Sequence, residues 1–116
     1  MAAFLPLKAP AHEGNIYEYR NYRTAPGRAR DWARQFAEAM PAREKYSEVA
    51  GAWVTEAGQP NEVSHLLAYS SLDARMEIRG KVAKDAEWLA FLKQSGSLLD
   101  EMHSTVMLPA VHSPLK

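Results

Sequence analysis

Val49-Ala50-Gly51-Ala52-Trp53-Val54-Thr55-Glu56 and Val63-Ser64-His65-Leu66-Leu67-Ala68-Tyr69, joined by Ala57-Gly58-Gln59-Pro60-Asn61, decide the fold of this chain. Both flanks are short apolar runs with aromatic and β-branched residues, the composition of strands. A glycine, a proline and an asparagine within five residues make a hairpin loop, so the two strands are expected to pair antiparallel.

Reading outward toward the N-terminus, Trp32, Phe36 and Met40 recur at i, i+4 and i+8 within Arg28 to Met40, with Ala29, Ala33 and Ala37 beside them. This spacing predicts an amphipathic helix. Pro41 is expected to end it and to open a short further turn through Arg43-Glu44-Lys45, because proline lacks the N–H a helix interior needs. Ahead of the helix, the tyrosine-dense segment Ile16 to Thr24 lies between Gly14-Asn15 and Pro26-Gly27 and reads as a strand. Toward the C-terminus, Ser70 is expected to cap a helix with Asp73 three residues on, Leu72 and Met76 facing inward and Gly80 weakening its interior. Asp85 is expected to cap a second helical piece holding Trp88, Phe91 and Leu92. A last strand runs from about Leu98 to Leu108 and stops before Pro109.

The resulting order is β-α-β-β-α-β, an α+β ferredoxin-like arrangement with one antiparallel sheet and both helical crossovers on the same face. The exposed face should then alternate polar with apolar. It does not: Trp53, Val63, Leu67 and Tyr69 fall on one parity of their strands, Val54, Leu66 and Ala68 on the other. A sheet apolar on both sides needs a second cover, and a homodimer supplies one.

At 116 residues, the chain reads as an N-terminal arm over residues 1–15 and one domain over residues 16–116. The arm reads as flexible, or in a sharper reading its Phe4-Leu5-Pro6-Leu7 segment packs on a neighbouring subunit; it is too short and interrupted for a secretory or membrane segment. Fourteen basic residues balance fourteen acidic ones, which gives no electrostatic reason to bind nucleic acid or an anionic membrane. With no cysteine, thiolate metal sites and cysteine nucleophiles are excluded, and a reducing cytoplasm fits. The four histidines show no metal-ligand spacing. There is no glycine-rich phosphate loop and no serine-hydrolase elbow, so no metal and no cofactor is expected.

The segments Tyr17-Glu18-x-Arg20-x-Tyr22, Pro26-Gly27, Gly51-x-Trp53, Thr55-Glu56, Asn61-x-Val63-x-His65-Leu66, Tyr69-x-Ser71, Asp85-x-Glu87-Trp88-x-x-Phe91 and Ser113-Pro114-Leu115 stand in an order that resembles the NIPSNAP family, in its small single-domain type. Asn21 departs from a common threonine. The resemblance implies a dimeric α/β barrel, in which two open sheet faces close around an interior. It implies no reaction.

Glu18, Arg20 and Tyr22 alternate on the first strand and so share a face; His65 and Tyr69 share one on the third, Trp53 and Thr55 one on the second. If the helices cover Tyr17, Tyr19, Val54, Leu66 and Ala68, the polar set falls on the open face, inside the dimer barrel. There Glu18, Arg20 and His65 are the candidate catalytic residues. Tyr22, Trp53, Thr55, Tyr69 and His103 are candidates for ligand binding. A carboxylate beside an imidazole could tune a general base toward neutral pH, with the guanidinium stabilising developing negative charge. A simpler reading is that Glu18 and Arg20 pair because buried charges must be paired. Three functions follow: a homodimer binding a small molecule in the barrel interior, which is favoured; a cofactor-independent enzyme of monooxygenase or isomerase type; and a non-catalytic protein-interaction module.

Overall fold

The computed structural model describes residues 2–3 and 15–115, the first two through their backbone alone. Its elements are β1 (Ala2–Ala3), β2 (Ile16–Thr24), α1 (Ala29–Glu44), β3 (Glu48–Val54), β4 (Glu62–Tyr69), α2 (Leu72–Val82), α3 (Ala86–Ser95) and β5 (Leu99–Met107), with a short 3-10 turn at Gly96–Leu98. The strands form one antiparallel sheet in the order β1-β3-β4-β2-β5. The four long strands have the ferredoxin-like order expected. The short β1 pairs with the outer edge of β3, so part of the N-terminal arm extends the sheet. The Phe4-Leu5-Pro6-Leu7 segment lies outside the described residues.

The connection into α1 is a tight turn. Arg28 N–H donates to the Ala25 carbonyl at 3.0 Å, and Gly27 has φ +77°, which a glycine after Pro26 adopts without strain. Asn61, from the β3–β4 loop, accepts from Gly27 N–H through its side chain and from Thr24 N–H through its backbone, tying the two turns together.

In α1 the buried residues are Ala29, Trp32, Ala33, Phe36, Ala42 and Arg43, the stripe predicted but longer. Pro41 does not end the helix. It sits inside α1 at an exposed position, where the N–H it lacks costs the helix one hydrogen bond without ending it. The cap of α2 is Ser71 rather than Ser70, its side chain accepting from Ala74 N–H at 3.0 Å. Asp85 caps α3 as expected, accepting from Trp88 N–H at 2.9 Å, and Tyr46 Oη donates to its other oxygen at 2.6 Å.

The orientation of α2 departs from the expectation. Leu72 and Met76 are exposed, and the inward row is Arg75, Ile78, Arg79 and Val82. The reason lies beneath the helix: a buried carboxylate on β2 draws the arginines inward.

The main core lies between the helices and one sheet face, and includes Tyr22, Trp32, Phe36, Val49, Val63, Leu67, Tyr69, Phe91 and Leu98. A second cluster on the opposite face holds Tyr17, Ala50, Leu66 and Ala68, with Tyr19, Trp53 and the C-terminal Leu115 packed against it. The sheet is thus apolar on both faces, as the mixed parity required, and the chain's own tail reaches part of the second face. The predicted assignment of faces is reversed for β2 and β4, however, while on β3 Val54 lies under the helices and Trp53 on the open side as expected. Tyr17, Tyr19 and Leu66 are on the open side; the residues of Glu18 parity lie under the helices.

Candidate functional site

The reversal moves the polar set. In the β2–β4 register Arg20 stands opposite His65 and Tyr22 opposite Val63, and in β5 Ser104 stands opposite Arg20. Glu18, Arg20, Tyr22, His65 and Tyr69 therefore share the helix-covered face. Trp53 pairs with Ser64 and His103 with Asn21, so both are on the open face. Thr55, whose N–H bonds to Glu62, continues the Trp53 parity there. Five of the eight residues singled out from the sequence come together; Trp53, Thr55 and His103 do not join them. His103 instead lies on the exposed edge strand, 3.4 Å from Glu101.

Glu18 is fully buried and saturated. Arg75 reaches both its oxygens, at 2.8 and 3.3 Å; Arg20 Nη1 is 3.2 Å away, Ser104 Oγ donates to it, and Arg79 stands at 4.0 Å. Burial alone would push its pKa up, but the hydrogen bonds from Arg75 and Ser104 and the charges of Arg20 and Arg75 hold it at about 2. A carboxylate so engaged is a structural anchor, not a base.

His65 has a different environment. Its ring lies between Trp32 (5.7 Å between centroids, stacked), Phe36 (4.8 Å, tilted) and Tyr22 (5.3 Å, edge-on). No contact joins it to Glu18, so the expected carboxylate–imidazole pair does not form. Burial, then the charges of Arg20 and Arg43, lowers its pKa to about 3, away from neutrality rather than toward it. Its Nδ1 is buried and has no hydrogen-bond partner among the described residues. A buried ring nitrogen left this way carries a desolvation penalty, and such groups mark places where something else belongs.

Sequence reasoning missed Arg43. It is 4 % exposed, donates from Nη1 to Ser47 Oγ and from Nη2 to Tyr69 Oη, each at 2.6 Å, and lies near the faces of Tyr69 and Trp88. Among the described residues no carboxylate stands within ion-pair distance of it. The signal was available: Arg43 follows Phe36 by seven residues, on the apolar stripe of α1, where a charge is out of place. Arg75 and Arg79, one turn apart on α2, were a second such signal.

Two adjoining cavities of about 280 Å³ each open between sheet and helices, and both are lined by Tyr22, Phe36, His65, Trp88, Leu92 and Met102. The first adds Arg20, Arg43, Leu67, Arg79 and Val82; the second adds Trp32, Phe91, Ser95 and Asp100. His65 and Phe36 lie deep in the space, while Arg79, Leu92 and Met102 are each about half exposed at its mouth. Tyr22 Oη accepts from Arg20 Nε at 2.6 Å on the wall, and burial raises the pKa of that phenol. Among the described residues no cluster of three or more His, Asp or Glu could hold a metal ion. Likewise, no helix there is long and apolar enough to cross a membrane.

A family model, NIPSNAP, matches residues 17–114. The chain is 35 % identical over 107 residues to Protein NipSnap homolog 1 of Danio rerio, covering 92 % of this chain and 38 % of that protein. With human Protein NipSnap homolog 2 it shares 34 % over 107 residues, covering 92 % and 37 %. The chain thus spans less than half the length of these relatives. Among solved structures, a NIPSNAP family protein from Agrobacterium tumefaciens superposes with a TM-score of 0.82 at 33 % identity, covering 90 % of this chain and 94 % of that one. A second protein from the same organism, a NIPSNAP family member of unknown function, gives 0.84 at 31 %, covering 94 % and 100 %. A monooxygenase-like protein of antibiotic biosynthesis from Bordetella bronchiseptica shares the fold, with a TM-score of 0.67 at 19 % identity, covering 85 % and 100 %.

Proposed function

The chain belongs to the NIPSNAP family, and from that premise we propose that it binds a small molecule in the cavity between its sheet and its helices, and that it does so as a homodimer. The observation that carries the reading is His65, which lines both of two cavities walled by aromatic rings and whose buried Nδ1 has no partner among the described residues. Concave, mostly apolar spaces with a few convergent polar groups are where small ligands bind. The site is the helix-side cavity rather than the interior of a dimer barrel, because Glu18, Arg20 and His65 face the helices. The dimer reading draws support from Tyr19 and Trp53, only partly buried on the open face, which a second copy would cover. Absence of cysteine suits a reducing compartment such as the cytoplasm.

Native mass spectrometry of the freshly purified protein tests both parts. The expected result is a dimer carrying a small additional mass, or one that acquires mass from a panel of aromatic compounds. A dimer that stays clean against the panel overturns the ligand reading; a monomer overturns the assembly.

A cofactor-independent enzyme using the same cavity is the second reading. It is favoured by one observation: His65 lines the cavity and its Nδ1 has no partner among the described residues. Its role would be to take a proton from a bound substrate. Turnover surviving in His65→Ala would exclude it.

A further inference from the structure

We propose that the molecule taken by this cavity is an organic oxyanion, a carboxylate or a phosphate ester, attached to a flat apolar body. The proposal rests on the ligand reading above and names the chemistry it selects.

The charges around the cavity do not balance. Arg20, Arg43 and Arg79 line it, and among the described residues the one carboxylate within ion-pair distance of any of them, Glu18, is already held by Arg75 and Ser104. Arg43 is the decisive group. A guanidinium taken out of water loses solvation that two neutral oxygens, on Ser47 and Tyr69, do not replace, and an anion would. Among the described residues Asp100 is the one acidic residue lining either cavity, and it lines the second, whereas the three arginines line the first.

Hydrogen-bond direction points the same way. The hydroxyls of Tyr22 and Tyr69 accept from Arg20 and Arg43, which leaves their own protons to donate. The wall around the arginines is therefore rich in donors and poor in acceptors. A cation would be repelled there, and a neutral donor would find little to receive it beyond a ring nitrogen of His65. An oxyanion accepts from guanidinium forks in two-pronged geometry. The rest of the space is aromatic: Phe36 and Trp88 line both cavities, beside the imidazole face of His65. These flat walls suit a ring.

The test compares 2-naphthoate and 2-naphthyl phosphate with the neutral 2-naphthamide, by quenching of tryptophan fluorescence in the full-length protein. At least one of the two anions is expected to bind tenfold or more tighter than the amide, and the preferred one identifies the oxyanion. Arg43→Met should remove that preference, bringing anion affinity down to that of the amide. Because Arg43 is buried, Arg79→Gln at the cavity mouth serves as the second variant, with a loss of anion affinity of about threefold or more. If the amide binds as tightly as both anions, the oxyanion assignment is overturned and the cavity reading stands. If anion preference survives both substitutions, the arginines do not read the charge and the assignment is overturned. If none of the three compounds quenches or competes, both readings fall.

Discussion

Arg75 and Glu18, 57 positions apart in the chain, meet in a two-pronged contact: Nη2 lies 2.8 Å from Oε2 and Nε 3.3 Å from Oε1. This fork is what docks α2 on the sheet, since the helix buries only Val82 fully. Around it the same carboxylate also serves Arg20 on its own strand and Ser104 on the edge strand β5. One buried anion thereby joins a helix, a central strand and an edge strand.

Replacing Glu18 by Gln should therefore cost more than a surface ion pair does. It leaves Arg20, Arg75 and Arg79 without their shared counter-charge, and breaking one side of a buried pair typically costs about 3–5 kcal/mol. Urea denaturation at pH 7 measures it; a loss below about 1 kcal/mol would mean that water replaces the carboxylate freely. The folded pKa of about 2 lies below the ordinary value of 4.5. The stabilisation is therefore complete above the unfolded value and is lost as pH falls from about 4.5 through 2, amounting to about 3 kcal/mol.

His65 acts in a higher window. Its folded pKa of about 3 is below the ordinary 6.5, so the unfolded chain binds the extra proton. Stability is therefore full above pH 6.5 and declines as pH falls toward 3, at up to about 1.4 kcal/mol per unit. The charges facing the ring, Arg20 and Arg43, oppose its protonation and Glu18 favours it. His65→Asn should flatten the curve between pH 6.5 and 4.5 while leaving the acid limb due to Glu18. Denaturation midpoints at pH 7, 5.5 and 4.5 decide the matter, and an unchanged slope in the variant would place the titration elsewhere.

Arg43→Met should leave stability within about 1 kcal/mol of the parent, or raise it, because an unneutralised buried charge gives way to apolar surface of similar length. Tyr69 and Ser47 lose a donor each, which sets the size of any loss. Thermal melting of the ligand-free protein checks this. A large destabilisation would show that the guanidinium is there to hold the fold rather than to meet a ligand.

Trp53→Glu should disrupt assembly and spare the monomer fold. Trp53 packs with Tyr17 and Leu66 on the open face, away from the cavity. Sedimentation at micromolar concentration is expected to shift from dimer to monomer; a variant that sediments like the parent would remove the open face as the interface.

The sequence carried the architecture well and the site only in part. The spacing of Trp32 and Phe36, the Gly58–Pro60 loop and the Asp85 cap each had one physical reading, and β2 spans the residues expected, Ile16–Thr24. What parity could not supply was a sign. Strand alternation groups Glu18 with Arg20 and Tyr22 but does not say which side the helices take. That information sat on the helices: Arg43 on the apolar stripe of α1, and Arg75 with Arg79 on α2, call for an anion beneath them. Hydrophobicity alone points Leu72 and Met76 inward, and the buried carboxylate outweighs them.

The mooring of α2 has a thermal consequence. Helices that dock by burying apolar surface release it to water with a large rise in heat capacity, and their grip weakens on cooling. The hold on α2 comes mostly from guanidinium groups around Glu18, so its detachment exposes little such surface. Its amide protons should therefore exchange with a temperature dependence close to linear, while those of α1, seated on Trp32 and Phe36, show the curvature of a hydrophobic contact. The two walls of one cavity would then respond differently to cold.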